Sequence, residues 1–272
     1  MFAAPSIPKP VSREEELGQV LFKRGQNAIV VFVMIVASLF FLGITLFAVA
    51  ESIRNRSPEA LVFSTVFVCL AAAVMLYVFV RSSGVLRCHE FGVSVSGWLS
   101  QRGLRFDRAA AFTFRTVQVN FHGIPLGTTF RLCLEPESGA GRKPIVFSGS
   151  LRKNDPEMDM LRDLASRAVA QRMGRELIAG GRVAWTRQLD LLAQGIEHRS
   201  LGLFGRKPPA VLPYEQIARI DIRDGFFSVW RRGRKRAAIS GSSSQANFFP
   251  GHRLLLTILE QKRKIAAGGE DA

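Results

Sequence analysis

Only three cysteines occur in the 272 residues. Cys69, Cys88 and Cys133 are odd in number and show no zinc-like spacing, so neither a disulfide framework nor a zinc site is expected. All three read as reduced, small structural residues. Histidine is almost as scarce: His89, His122, His198 and His252 share no HExxH or HxH spacing, and metal binding has no motif behind it. A GxSxG elbow, a Walker loop and a GxGxxG turn are all missing. Gly139-Ala-Gly141 lies between two expected strands with no helix after it, which makes it a loop. Asp155, Glu157 and Asp159 fall at an expected helix N-terminus, where the helix dipole favours acidic side chains. Asp221 and Asp224 flank a turn. With no catalytic constellation, no catalytic residue, cofactor or metal is expected, and the protein reads as non-enzymatic.

Acid is in short supply as well. Lys and Arg number 37 against 22 Asp and Glu, a formal charge of +15. Residues 81–272 hold 31 of those cations against 17 acids, or +14. The mean hydropathy is nevertheless +0.14, so apolar residues must be concentrated somewhere. They are concentrated in residues 27–80. Asn27–Ala50 and Ala60–Val80 are two runs without a charge. At 1.5 Å per residue the first reaches roughly 36 Å, against about 30 Å of bilayer hydrocarbon, which predicts a transmembrane helical hairpin over 27–80.

The polar connection Glu51–Glu59 permits only a direct antiparallel return. Lys9, Arg13, Lys23, Arg24, Arg81 and Arg87 flank the hairpin, while its loop holds Arg54 and Arg56 alone. The positive-inside bias predicts a bacterial inner (cytoplasmic) membrane with both termini cytoplasmic. The first run is too long and too far from Met1 for a cleaved signal peptide. Residues 1–26 begin with a Pro-rich stretch read as disordered. Ser12 and Glu15 then make a capping box, predicting a short helix through Leu17, Val20, Leu21 and Phe22. That helix is either an interfacial anchor or an extension of the membrane helix.

Beyond residue 81 the pattern changes to alternation. Strands are expected at Val85–Glu90, Gly92–Ser96, Ala111–Phe121, Thr128–Leu134 and Pro144–Phe147. Asn154-Asp155-Pro156 then opens a helix that stops at Gly180-Gly181. A similar order follows: a strand-like stretch from Val183-Ala184-Trp185 through Leu189–Leu192, strands at Gly195–Arg199, Ile217–Ile222 and Phe226–Trp230, and a helix opening at Phe249-Pro250 and ending before Gly268-Gly269. This predicts one α+β domain over 81–180, a second over 181–267 and a disordered tail, 268–272. Gly92-Val-Ser-Val matches Gly195-Ile-Glu-His, and Phe106-Asp107-Arg108-Ala109 matches Tyr214-Glu215-Gln216-Ile217. The match favours an internal repeat over convergent strand patterning.

Gly195-Ile196, Pro213-Tyr214-Glu215-Gln216-Ile217 and Ile220-Asp221-Ile222, followed by a terminal helix, resemble bacterial membrane-anchored pleckstrin-homology-like (PH-like) domain proteins, a largely uncharacterised group. The resemblance implies two tandem PH-like, partly open β-barrels, each with a C-terminal α-helix, behind the two-helix transmembrane hairpin.

Basic clusters beside aromatic residues are the candidate contact sites. Arg231, Arg232, Arg234, Lys235 and Arg236 follow Trp230 around Gly233; Arg206 and Lys207 follow Phe204-Gly205; Trp98, Arg102 and Arg105 hold the corresponding loop of the first copy. Such clusters suit anionic lipid headgroups, a protein partner, or merely a solvated surface. The expected function is a non-enzymatic integral membrane scaffold presenting its modules to proteins or anionic headgroups, with no nucleic acid partner. The alternatives are an accessory subunit of a larger membrane complex and an enzyme whose site carries no motif.

Overall fold

The structure is a computed structural model. It describes residues 15–25, 28–54, 62, 65–66, 68–70, 72–73, 84–97, 101–121, 124–137, 143–151, 155–199, 201–202, 205–206 and 208–268. By contact these divide into two units. One comprises Met1–Phe22, Cys88–Ser94 and Gly103–Ala272; the other comprises Lys23–Arg87 and Val95–Arg102.

The chain opens differently from expectation. A single 3-10 turn, Glu15–Leu17, leads into strand β1 (Val20–Gly25) where an amphipathic helix was predicted. Gly18 between them has φ +80°, a left-handed conformation that no helix continues through. Leu17 and Phe22 are buried.

Helix α1 (Ala28–Arg54) follows. Among the described residues no helix is long and apolar enough to cross a membrane. The second run, 60–80, lies largely outside the described residues. The predicted two-helix transmembrane hairpin is therefore corrected. With it go the bacterial inner-membrane placement with both termini cytoplasmic and the integral-membrane description. The described side chains of α1 include the exposed Leu39, Phe40, Leu46 and Phe47.

Two series of antiparallel strands make up most of the rest. β1, β2 (Val85–His89), β3 (Gly92–Ser96) and β4 (Gln101–Arg105) form a sheet in sequence order. A 3-10 turn, Phe106–Arg108, leads to the three-stranded meander β5 (Ala109–Phe121), β6 (Ile124–Pro136) and β7 (Ile145–Leu151), and then to helix α2 (Pro156–Gly180). The second series starts with β8 (Arg182–Ala184), β9 (Leu189–Leu192) and β10 (Gly195–His198). The short pair β11 (Leu201–Gly202) and β12 (Gly205–Arg206) precedes β13 (Ala210–Pro213), which completes the sheet β8-β9-β10-β13. A 3-10 turn, Tyr214–Gln216, leads to β14 (Ile217–Arg223), β15 (Phe226–Arg231) and β16 (Ala237–Ser242), and then to helix α3 (Phe248–Gly268). The strands lie in separate four-, three- and two-stranded sheets among the described residues, so the expectation of two tandem PH-like, partly open β-barrels is corrected too.

The same contacts recur in both series. A Cβ on Gly92 would lie 2.5 Å from the Leu104 carbonyl oxygen, and one on Gly195 would lie 2.4 Å from that of Leu212. Only glycine permits these close strand approaches. The Phe106 amide donates to Phe91 O at 2.9 Å, and the Tyr214 amide to Gln194 O at 3.4 Å. Ser148-Gly149-Ser150 on β7 sets Gly149 opposite Phe130, as Ser240-Gly241-Ser242 on β16 sets Gly241 opposite Phe227.

Helix α2 begins where the sequence places it. Asp155 caps it by accepting from the Met158 amide, Pro156 fills the first turn, and Gly181 ends it at φ +67°. Asp163 of α2 pairs with Arg253 of α3. Asn247 exchanges hydrogen bonds with the Phe112 backbone at 2.8 and 3.0 Å, and Phe249 meets Phe114 edge to face. The end of the second series is thus fastened to β5 of the first.

Candidate functional site

The candidate residues have different fates. Trp98 and Lys207 lie outside the described residues, and Arg206 sits on β12. Arg102 is exposed on β4. Arg105 is engaged locally: its guanidinium grips both Asp107 oxygens at 3.1 and 3.0 Å and donates to Glu16 O at 3.3 Å. That fork holds the Asp107 carboxyl below the usual carboxylate range, and it leaves Arg105 little capacity for a partner.

The β15–β16 turn is different. Arg231, Arg232, Arg234, Lys235 and Arg236 are all exposed. None of them forms an ion pair among the described residues. The turn is built by backbone: the Arg234 amide donates to Arg231 O at 3.2 Å, the Arg232 amide to Gln216 O at 2.8 Å, and Gly233 adopts φ +70°. Five cations are thereby presented by a hydrogen-bonded turn. The summed positive potential of five neighbouring cations makes the tip a strong attractor for anions.

Behind the tip lies the solvent face of β14–β16. Strand register puts Arg219 opposite Trp230, Asp221 opposite Ser228, and Arg223 opposite Phe226. The Arg219 guanidinium lies 4.6 Å from the centre of the Trp230 ring, a cation–π distance. The same guanidinium pairs with Asp221 at 3.2 Å. The indole N–H of Trp230 is buried and has no acceptor among the described residues. Phe226 is 65% exposed beside the Asp224-Gly225 turn, whose φ values of +51° and +78° match a two-residue hairpin turn with both central residues left-handed. The opposite face carries Val229, Phe227 and Ile239, all buried. Sequence inspection singled out Trp230 and the tip but missed Arg219, Arg223 and Phe226. Their signal is the strict alternation along 217–230, which becomes a surface only once the pairing register is known.

Two buried polar clusters elsewhere do structural work. His89 and Ser94 are each 1% exposed. The His89 Nδ1 lies 3.1 Å from Gly18 O and its Nε2 lies 2.9 Å from Ser94 Oγ. A carbonyl only accepts, so Nδ1 donates to Gly18 O, and in the neutral ring with that tautomer Nε2 accepts from the Ser94 hydroxyl. Both ring nitrogens are occupied and both side chains are shut from solvent, so the pair is no nucleophile. Asp190 and Glu197 stand opposite each other on β9 and β10. Arg182 bridges them, donating to Asp190 at 2.8 Å and to Glu197 at 2.9 Å, while Arg199 closes on Asp190. Two acids that would repel across the strands are neutralised by two arginines. Among the described residues no group of His, Cys, Asp and Glu is arranged to hold a metal ion.

No family model and no curated protein matches the chain.

Proposed function

We propose that this protein is a non-catalytic binding protein, built from two similar β-rich modules, that docks through the basic tip and solvent face of β14–β16 onto an acidic surface of another protein. The observation carrying this reading is the exposed run Arg231–Arg236, which forms no ion pair among the described residues, on a turn fixed by its own hydrogen bonds. Tryptophan and arginine are the residues most enriched at interface anchor points, and Trp230 with Arg219 supplies a stacked pair of that kind next to the tip. The glycine contacts and 3-10 entries that recur in both strand series support a duplicated module. The buried His89 and Ser94 bond to each other, and Arg182 bridges Asp190 and Glu197, although Asp190 Oδ1 has no hydrogen-bond partner among the described residues.

The test is titration of the full chain with a fluorescein-labelled nonaglutamate peptide at low salt and at roughly physiological ionic strength, where the screening length falls to about 8 Å. Binding that weakens with salt, and is lost when Arg231, Arg232, Arg234, Lys235 and Arg236 are changed to Glu, is the expected result. Equal binding by the reversed chain overturns the reading. Capture by anionic phospholipid vesicles but not by the peptide overturns it in favour of lipid headgroups.

A second reading is favoured by α1, whose side chains Leu39, Phe40 and Phe47 are more than 60% exposed. A helix apolar on every side is normally covered, which fits a subunit of a larger assembly. Light scattering of the purified chain checks it: a sharp oligomer that dissociates when Phe40 and Phe47 become Ser supports the reading, and a monodisperse monomer opposes it.

A further inference from the structure

We infer that the edge of β16 is a strand-addition site, taking an extended acidic segment of the partner as a fourth strand beside β14, β15 and β16. The inference rests on the docking reading above and deepens it. β16 is the last strand of its sheet, with β15 as its only paired neighbour among the described residues. No backbone group of residues 237–242 bonds to any other described backbone group outside the sheet. An open edge is a row of unpaired N–H and C=O groups, which natural proteins normally guard with lysine, proline, an inward charge or a covering element. Its sequence, Ala-Ala-Ile-Ser-Gly-Ser, carries no lysine, proline or charge, and past a register shift at Ala238 its pairing with β15 is regular from Ile239 to Ser242. The opposite edge strand, β14, does carry charges, at Arg219, Asp221 and Arg223.

The unguarded edge is also the one that follows directly from the basic tip. Arg236 immediately precedes Ala237. A segment added antiparallel to β16 runs from beside Ser242 toward Ala237, so residues just beyond its C-terminal end arrive at the guanidiniums. Acidic residues there meet Arg234, Lys235 and Arg236. The main chain then contributes affinity and the tip selects charge, which is how strand addition divides affinity from specificity. Exposed Ala238 and Ser240 offer no bulk against an incoming strand.

The probe is a labelled peptide, Thr-Val-Thr-Val-Thr-Val-Glu-Glu-Glu, with a twin whose alternate Thr–Val amides are N-methylated on the edge-facing side. Methylation removes the ladder donors without changing charge. The full chain is expected to bind the first peptide at least roughly tenfold tighter than the twin, since several net-favourable hydrogen bonds are lost together. Amide exchange in residues 237–242 is expected to slow only with the unmethylated peptide. Equal binding of both peptides, with dependence on Arg231–Arg236 retained, overturns strand addition and leaves the basic docking face standing. Failure of the chain to bind either peptide overturns strand addition as well, and if nonaglutamate also fails the docking reading falls with it.

Discussion

Helical glycines at Gly251 and Gly174 look alike in sequence and are opposite in consequence. A Cβ on Gly251 would sit 1.9 Å from the Trp185 ring. That ring is buried and anchored by its indole N–H, which donates to Phe248 O at 2.9 Å, so it has nowhere to move. A Cβ on Gly174 meets only Leu254 Cδ1 at 3.5 Å, an ordinary contact. Gly251→Ala is expected to destabilise by about 2–4 kcal/mol through overpacking. Gly174→Ala is expected to stabilise by roughly 0.5–1 kcal/mol, the helix-propensity difference. Urea unfolding of both variants checks the pair of signs. His252 makes a second residue-scale prediction. Burial depresses its pKa below the usual 6.5, so the unfolded chain binds a proton that the folded protein refuses. Stability is then complete above 6.5 and falls as pH drops below it toward the folded value; His198 shifts the same way. The His252 ring stacks on Phe248 at 5.9 Å, so His252→Phe keeps the stack while removing the titration. Urea midpoints measured near pH 7.5 and 5.5, which bracket an ordinary histidine, are expected to differ less in the variant; an unchanged difference would count against the assignment.

Among the elements, those read best from sequence had their signals in consecutive residues. The alternation at Ile217–Ile222 and Phe226–Trp230 falls on β14 and β15, and Asp155-Pro156 with Gly181 brackets α2. Asp155→Ala removes the bond to the Met158 amide and is expected to cost about 1 kcal/mol, read as a lowered thermal midpoint. Elements escaped notice where a single backbone choice decided the outcome. Leu17, Val20, Leu21 and Phe22 suit a helical face, yet the positive φ of Gly18 turns the chain into β1. β4 and β13 were missed because Gln101–Arg105 is mostly polar and Ala210–Pro213 ends in proline. The site was half legible. The cationic tip is visible as composition, while the Arg219–Trp230 stack depends on register, and the spent state of Arg105 depends on Asp107 two residues away.

At the scale of the whole molecule, most of the described residues belong to the two strand series and their helices. They are fastened by Asn247, a non-glycine residue at φ +59° that satisfies both backbone groups of Phe112. Asn247→Ala leaves the Phe112 N–H without its acceptor and keeps the strained backbone, an expected loss of about 2–3 kcal/mol. Far-ultraviolet circular dichroism and tryptophan fluorescence are expected to report one shared unfolding transition in the unsubstituted chain and two separated ones in the variant. Separate transitions in the unsubstituted chain would show that the fastening is idle.

The cations of the β15–β16 turn, without ion pairs among the described residues, are proposed to make this a docking protein for acidic polypeptide. Fluorescence anisotropy of labelled nonaglutamate with the full chain, beside the chain with Arg231, Arg232, Arg234, Lys235 and Arg236 changed to Glu, tests it most directly. The account predicts saturable, salt-sensitive binding to the first and none to the second, with unchanged urea midpoints because the five side chains make no ion pair among the described residues. Equal binding by both chains, or binding by neither, would contradict it.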